Sequence, residues 1–189
     1  MEQIFDKLLP YGTLSDSSKQ AFLAIMQERT VRKHEFFLQE GQLPRNAAFV
    51  IKGLFSQYFT DDEGNIVIKK FFAENAFMAS ISALLTNQPS LLSMKALETS
   101  RIYEFDFQVF RELMEQRSDL FKLYTRYIEQ HWIVEKEPLE IAFRKDSAAT
   151  RYTEFVRNNP HLISRLKQHE IASFLGITPT QLSRLKLNL

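Results

Sequence analysis

The strongest constraint on the fold is a series of short apolar and aromatic runs between Val31 and Phe107, separated by turn residues. The turn signals are Glu40-Gly41, Lys52-Gly53 and Asp61-Asp62-Glu63-Gly64-Asn65. Such runs are typical of antiparallel strands, and the Gly64-Asn65 pair can supply the positive φ of a hairpin turn. Many of the 17 phenylalanines lie here. We therefore predict an antiparallel sandwich or barrel with an aromatic core.

Helical patterns occur before, within and after these runs. Ser15 is a candidate N-cap for a helix in "LSDSSKQAFLAIMQ", and "MASISALLTN" predicts a short helix, Met78 to Asn87, that Pro89 stops. From about Ser118 to Phe143 the apolar positions form one stripe too long for a sheet of this size to cover. A partner helix is the natural cover, so we expect a parallel, coiled-coil-like homodimer.

The end of this long helix is expected to contain a hinge. Pro138 lacks an N–H donor and should kink or break the helix, so the dimer contact is expected ahead of it, over residues 118–137. Asp146 is the predicted N-cap of the next helix, "SAATRYTEFVRNN", and Asn159-Pro160 ends that helix. The hinge should therefore lie close to residues 138–146.

Charge is distributed unevenly along the chain. The net charge is +1, yet the segment from Arg144 to Leu189 contains eight lysines and arginines against three acidic residues. A basic segment suits the phosphate backbone of nucleic acid, because neutralised phosphates release counterions. A solvated positive face would explain the charge equally well, so the charge alone does not establish DNA binding.

Several classes of function lack their sequence signature. There is no cysteine, no Gly-x-Ser-x-Gly elbow, no phosphate loop and no His-Glu-x-x-His pair, so we expect no catalytic residue, no metal site and no enzyme activity. The carboxylate pairs Asp61-Asp62 and Glu135 with Glu137 are interpreted as solvated surface. No secretory signal or apolar run of the roughly 18 residues that span a membrane is present, which predicts a cytoplasmic protein without a membrane partner.

The segment "EIASFLGITPTQLSRL", Glu170 to Leu185, has the spacing of two short helices that cross at a tight turn. Ala172 is small enough for the crossing, and Gly176 tolerates positive φ in the turn. Leu182 and Leu185 are expected to face inward. A plain helical hairpin would explain these apolar residues and the glycine equally well.

The second of these helices has a well-marked start and a polar face. Thr178 is its predicted N-cap, Pro179 takes the first helical position, and Gln181 completes a capping box. The residues that then turn outward can donate to base edges or phosphates: Thr180, Ser183 and Arg184. A plain hairpin would not explain this face within a basic segment, so we predict that the helix binds DNA.

The order of these elements resembles the Crp/Fnr (catabolite activator) family of bacterial transcription regulators over nearly the whole chain. The motifs that carry the resemblance are "FFLQEGQ", "FVIKGLFSQYF", "DDEGNIVIKKFF", "DSAATRY" and "IASFLGITPTQLSRL". "LGITP" followed by "LSR" is most similar to divergent members common in Bacteroidetes. The resemblance implies an α+β chain with an N-terminal antiparallel β-roll, a cyclic-nucleotide-binding-like jelly roll with flanking helices. A long dimerisation helix and a C-terminal helix-turn-helix domain would follow.

The same resemblance implies a division into three parts and an effector pocket. We expect a sensor domain at 1–117, the dimerisation helix and hinge at 118–145, and the DNA-binding domain at 146–189. The candidate pocket residues are Ala79, Ser80, Ser90, Leu91, Tyr124, Tyr127 and His131.

This pocket departs from that of the nucleotide-binding members. Where they carry a Gly-Glu pair and a later Arg-Ser or Arg-Thr, this chain has Ala79-Ser80 and Ser90-Leu91. A buried phosphate without a positive partner is costly, so cyclic AMP is not the expected effector, and no cofactor is predicted. A haem held by His34 or His131 is the alternative, although a lone histidine on an apolar stripe is more often a packing residue.

The resemblance also implies where DNA would be contacted. Arg184 is the candidate for a base contact, most simply to a guanine, with weaker contacts from Thr180 and Ser183. "NPHLISRLKQ" should form a helical turn where the family has a β-hairpin wing. The full candidate set is Thr178, Pro179, Thr180, Gln181, Ser183, Arg184 and Lys186, with Arg165 and Lys167 as further phosphate contacts.

The sequence thus predicts a homodimeric transcription regulator whose β-roll senses an effector other than cyclic AMP. Its expected partners are double-stranded DNA and a second copy of the chain, with RNA polymerase as a further candidate. The alternative is a degenerate sensor and interaction module that dimerises but does not bind DNA.

Overall fold

The computed structural model describes residues 2–187. The predicted domains at 1–117 and 146–189 therefore extend beyond the described residues by Met1 and by Asn188 and Leu189. The strands are β1 (Gln27–Val31), β2 (Phe36–Leu38), β3 (Asn46–Lys52), β4 (Phe55–Thr60), β5 (Ile66–Phe72), β6 (Phe77–Met78), β7 (Ser93–Ala96) and β8 (Ser100–Asp106). The helices are α1 (Glu2–Leu8), α2 (Asp16–Ala24), α3 (Ile81–Thr86), α4 (Phe107–Gln116), α5 (Ser118–Glu129), α6 (Lys136–Lys145), α7 (Ala148–Asn158), α8 (Pro160–Ile163), α9 (Gln168–Leu175) and α10 (Pro179–Leu187).

The strands form two antiparallel four-stranded sheets, in the orders β1-β8-β3-β6 and β2-β7-β4-β5. Strands far apart in sequence are neighbours, as in the pairs β1 with β8 and β2 with β7, and this pairing closes the chain into a roll. Fully buried side chains fill the space between the sheets, including Val50, Phe55 and Ile102. The predicted antiparallel β-roll is therefore confirmed, and the core between its sheets combines Phe55 and Phe72 with mostly aliphatic side chains. The roll also contains three strands that the apolar runs did not predict: β1, β6 and β7.

The hairpin between β4 and β5 turns on one glycine. Gly64 has a φ of 84°, whereas Asn65 has no positive φ, so only the first residue of the predicted pair supplies that conformation. Asp61 holds the turn, because its Oδ1 accepts from the N–H groups of Asn65 at 2.7 Å and Glu63 at 3.0 Å.

The helices before and after the roll pack together on its outer face. Ser15 caps α2 as predicted, since its side chain accepts from the N–H of Ser18. Asp119 at the start of α5 joins the two ends of the domain by accepting from Ser15 N at 2.9 Å and Ser18 Oγ at 2.8 Å. These hydrogen bonds hold the pKa of Asp119 at about 2, the bond from the Ser15 backbone contributing most.

The long helical segment continues through Pro138, because a π-helical turn, Gln130–Val134, precedes the proline. A proline in a regular helix collides with the carbonyl four residues earlier, which here belongs to Val134. The wider turn changes the register, and Glu135 N–H donates to Gln130 O at 2.9 Å, five residues back. The expected break at Pro138 is thus replaced by a local widening, and the helical segment runs on to Lys145.

The last four helices pack around one apolar core, to which the roll contributes the fully buried Leu54. The start of α7 corrects a prediction: Ser147, not Asp146, is the N-cap, because Ser147 Oγ accepts from Thr150 N at 3.1 Å. Asp146 is instead the C-cap of α6, and its backbone N–H donates to Ala142 O. The predicted helical turn in place of a β-hairpin wing is confirmed as α8.

The crossing of α9 and α10 has the predicted geometry. Gly176 ends α9 with a φ of 66°, and Ile177 N–H donates back to Ala172 O at 3.0 Å. Ala172 and Leu182 are fully buried where the helices meet. Thr178 Oγ1 accepts from Gln181 N at 3.1 Å and Gln181 Oε1 from Thr178 N at 2.9 Å, so the predicted capping box is confirmed.

Within residues 2–187, no helix is both long enough and apolar enough to cross a membrane.

Candidate effector cavity and candidate DNA-binding surface

A cavity of about 1220 Å³ lies where the β-roll, the helical segment from α5 to α6 and the C-terminal helices meet. Most of its lining is aromatic or aliphatic, with Phe77 from the roll, Tyr127 from α5 and Phe174 from α9. Concave, mostly apolar sites with a few polar groups are where proteins bind small ligands. The cavity is therefore the candidate effector site.

A hydrogen-bonded chain of side chains stands at one edge of the cavity. Tyr11 Oη is 2.8 Å from His131 Nε2, and His131 Nδ1 is 2.6 Å from Glu135 Oε2. The His131 ring also packs on Tyr127, with 4.3 Å between centroids. Burial raises the pKa of Tyr127 well above its usual value. Both nitrogens of His131 thus have partners, which fits a packing residue better than a haem ligand.

The candidate pocket residues divide into two groups. Ala79, Ser80, Tyr124, Tyr127 and His131 line the cavity together, although they come from distant parts of the sequence. Ser90 and Leu91 are not among the lining residues, although Ser90 is in hydrogen-bond contact with the lining residue Ser80.

The two serines at the predicted phosphate position satisfy each other. Ser80 Oγ and Ser90 Oγ are 2.9 Å apart, both residues are buried, and the Ser90 hydroxyl also donates to Leu92 O at 2.8 Å. Leu91 points into solvent with 79% of its surface exposed, because the turn before β7 directs Leu92 to the cavity instead. This serine pair therefore offers a phosphate no positive charge.

The most polar part of the lining was not predicted. Lys69 and Lys70 on β5 both line the cavity, although adjacent residues of a regular strand point to opposite faces. Gln57 pairs with Lys70 but Tyr58 with Ile68, so Lys69 is the extra residue of a β-bulge. The Lys-Lys doublet in an otherwise apolar strand was the only sequence signal for it.

The C-terminal helices dock on the edge strand β5 of the roll. Ser173 Oγ donates to Ile66 O at 2.6 Å and accepts from Ile68 N at 2.9 Å. Beside these bonds the Phe71 ring packs on Phe174 of α9 at 5.4 Å between centroids. An edge strand that would otherwise expose its hydrogen-bonding groups is covered in this way.

An ion-pair cluster fastens the same interface. Arg165 donates to Glu74 Oε2 at 2.8 Å and Oε1 at 3.0 Å, and to Glu98 Oε1 at 2.6 Å. Partial burial would raise the pKa of Glu74, but hydrogen bonds from Arg165 and from Gly53 N–H outweigh it and lower that pKa to about 2. The pKa of Arg165 is raised by the same two carboxylates. Arg165, predicted as a phosphate contact, is thus held by the roll in this conformation.

The other candidate DNA contacts form an exposed surface, the recognition surface. It comprises Thr178, Pro179, Thr180, Gln181, Ser183, Arg184 and Lys186, all exposed on α10 or its cap, and Lys167, exposed just before α9. Leu182 anchors α10 from the opposite side and is fully buried. The helix therefore presents hydroxyl, amide and cationic groups to solvent.

Eight strands form the roll, with α3 between β6 and β7 and a helix after β8. Residues 28–117 match the cyclic nucleotide-binding domain family. The matched segment ends just before α5 begins. No curated protein sequence matches the chain.

Three solved structures share the fold over most of the chain, beyond the segment that matches the family. FixK2 from Bradyrhizobium japonicum is 16% identical with a TM-score of 0.73, over 87% of this chain and 84% of that one. CLP, the c-di-GMP responsive global regulator of Xanthomonas campestris, is 13% identical with a TM-score of 0.68, over 92% of each chain. The catabolite activator protein of Thermus thermophilus is 15% identical with a TM-score of 0.58, over 97% and 86%. At these identities the likeness shows the fold alone.

Proposed function

We propose that this protein is a homodimeric DNA-binding transcription regulator of the Crp/Fnr type whose β-roll responds to an effector other than cyclic AMP. The observation that carries the proposal is the recognition surface. Its helix α10 begins at a complete capping box and is anchored by the buried Leu182. A short, rigidly started helix with Arg184 on its exposed side suits the major groove, where arginine pairs with guanine.

Exposed apolar side chains on the helical segment support the homodimer. They follow α5, the π-helical turn and α6: Phe121, Trp132, Ile133, Val134, Leu139, Ile141 and Phe143, each at least 42% exposed. Apolar residues this dense on one helical segment usually mark a protein interface. They extend past residue 137, so the proposed interface continues beyond Pro138.

The chemistry of the cavity supports an effector other than cyclic AMP. The positions that match the phosphate site of nucleotide-binding relatives are neutral serines that hydrogen-bond to each other. A cyclic phosphate placed there would have no cation beside it. The catabolite activator protein and the c-di-GMP responsive CLP share the fold, which supports a regulator but does not name the ligand.

Binding of the purified protein to fragments of its own genome tests the proposal. We expect selective binding that Arg184→Ala weakens by about 1–3 kcal/mol and makes less sequence-selective, because a bidentate base contact is lost. Lys52→Gln, which removes an exposed charge of the roll, is the control and should retain the selectivity. Weak binding that is indifferent to sequence and to Arg184, and that vanishes at modest salt, would favour an interaction module instead. RNA polymerase would then no longer be a candidate partner.

A further inference from the structure

The cavity has two chemically different sides. Four lysines but only one carboxylate are among its lining residues: Lys7, Lys69, Lys70, Lys136 and Glu135. The remainder is dominated by aromatic and aliphatic side chains. The lysines raise the affinity of the cavity for anionic ligands and lower its affinity for cationic ones. Such a cavity therefore differs from a site for a neutral apolar ligand.

The cationic wall is concentrated at the bulge in β5. The bulge turns both Lys69 and Lys70 to the cavity, and within residues 2–187 neither amine is within ion-pair distance of a carboxylate. The Lys70 amine lies over the Phe72 ring, 5.2 Å from its centroid. Partial desolvation lowers the pKa of both side chains; repulsion from Lys136 lowers that of Lys69 further, whereas attraction to Glu135 opposes the shift of Lys70. Both lysines remain exposed to solvent, so their ammonium groups are accessible to an anion that enters the cavity.

The lining takes two lysines from β5 and none from α3 or the residues beside it. At α3, Ser80 and Ser90 are neutral and satisfied by each other. The apolar part of the lining includes Phe174 of α9 and Tyr127 of α5. A ligand headed at the lysines would contact the roll, the helical segment and the C-terminal helices together.

We propose that the cavity binds an amphipathic organic anion, with its acidic head on Lys69 and Lys70 and its apolar body against Phe77, Tyr127 and Phe174. The claim that this anion is the effector rests on the proposed function. The claim that it binds rests on the cavity alone. Its acidic group can be a carboxylate, a sulfonate or a phosphate, because each would pair with the two ammonium groups.

The test uses the single tryptophan of the chain, Trp132, which lines the cavity. Its fluorescence is titrated with dodecanoate, dodecanol and dodecyltrimethylammonium, all below their micelle concentrations. We expect dodecanoate to bind at least about tenfold more tightly than dodecanol, because a charge-assisted contact is added. The ammonium compound should bind most weakly. Cyclic AMP should bind more weakly than dodecanoate, since it lacks the long apolar body.

Variants locate the head group. Lys69→Gln with Lys70→Gln should reduce dodecanoate affinity by at least about tenfold while dodecanol affinity changes little. Lys52→Gln removes an exposed lysine of β3 outside the cavity lining and should change neither. Circular dichroism shows whether the double variant is folded. If it is misfolded, Lys70→Arg takes its place: this variant keeps the charge and must retain the preference for dodecanoate.

Equal affinities for the three head groups, or a preference for dodecanoate that survives in the folded double variant, would overturn the proposal. DNA binding by the same preparation is measured separately. Selective DNA binding without anion binding would reject the ligand class and leave the proposed function intact. Anion binding without selective DNA binding would do the reverse.

Discussion

Among single residues, Gly53 fixes the closest approach of two strands in the roll. Its φ is 122°, and a Cβ built on it would overlap the Ser100 side chain and lie 2.7 Å from Ser100 Cα. Leu54 N–H donates to Ser100 Oγ at 3.2 Å, and Gly53 N–H donates to Glu74 Oε1 at 2.8 Å. Only glycine can supply both this conformation and the missing volume.

Substitution of this glycine should destabilise the roll strongly. We expect Gly53→Ala to lower the free energy of unfolding by roughly 2–4 kcal/mol, because a backbone clash adds to the strain of positive φ. Gly64→Ala is the matched control: its φ is 84° but nothing lies within 4 Å of an added Cβ, so a loss of about 1 kcal/mol is expected. Urea unfolding measures both, and equal losses would contradict this role of Ser100.

Local chemistry explains which residues could be predicted from the sequence. The capping box of Thr178 and Gln181 is complete within four neighbouring residues, so the sequence alone predicted it. The ion pairs of Arg165 were not predicted because its partners Glu74 and Glu98 lie 91 and 67 residues away. Nothing near Arg165 in the sequence distinguishes an arginine that pairs with carboxylates from one that binds phosphate.

Between elements, the contact of α9 with β5 is where the C-terminal helices meet the roll. It combines the Ser173 hydrogen bonds, the Phe71–Phe174 packing and the Arg165 ion pairs. Both carboxylates of the ion pairs remain partly exposed, at 34% and 37% of their side-chain surface. Solvent therefore weakens each pair, and bidentate geometry is what makes the cluster worth more than an ordinary surface salt bridge.

Removal of these carboxylates should loosen the docked helices without unfolding them. In a Glu74→Gln, Glu98→Gln variant we expect faster hydrogen exchange at the amides of α9 and β5, with the rest of the roll unchanged. Glu154→Gln breaks the exposed pair with Arg157 inside α7 and should leave the exchange of β5 unchanged. Unchanged exchange in the double variant would show that the apolar contact alone holds the helices.

The same contact should depend on pH. Because the pKa of Glu74 is lowered from 4.5 to about 2 in the folded chain, its contribution is fully present above about pH 4.5. The contribution is lost as the pH falls toward about 2, where the carboxylate becomes protonated. We expect the protection factors of the β5 amides, the ratios of intrinsic to observed exchange rates, to fall over this range in the wild-type protein and much less in Glu74→Gln. Parallel pH profiles for the two proteins would contradict the assignment.

Elements with strong patterns were predicted and those with weak patterns were not. The strand β1, with the sequence QERTV, is polar and mostly exposed, so no apolar run marks it. It becomes a strand by pairing with β8. The π-helical turn was not predicted because the periodicity of apolar residues indicates that a segment is helical but not where its hydrogen-bond pattern changes. Pro138 signalled a disturbance of the helix but not that a wider turn could absorb it.

At the scale of the whole molecule, the exposed apolar residues from Phe121 to Phe143 require a cover. The roll and its flanking helices were predictable because their order resembles a known architecture. The third wall of the cavity was not, since Phe155, Leu162 and Phe174 reach it only through the docking of the C-terminal helices. A second copy of the chain is the proposed cover for the exposed helix.

Charge placed on this helix should separate the two copies. We expect the wild-type protein to be dimeric at micromolar concentration by light scattering, and Ile133→Glu with Ile141→Glu to be monomeric. These residues are 60% and 55% exposed and lie outside the cavity lining, so their replacement should not disturb the fold of one chain. Lys122→Glu, at an exposed position of α5, is the control. A monomeric wild-type protein, or a double variant that stays dimeric, would contradict the proposed interface.

The most direct measurement is protection of guanine N7 from methylation on the genomic fragment that the protein binds best. The account predicts two clusters of protected major-groove guanines about 34 Å apart, one for each α10 of a dimer. Arg184→Ala should lose protection in both clusters at concentrations that keep the wild-type protein bound. A single cluster, or uniform weak protection that does not depend on Arg184, would contradict a dimer that reads DNA with this helix.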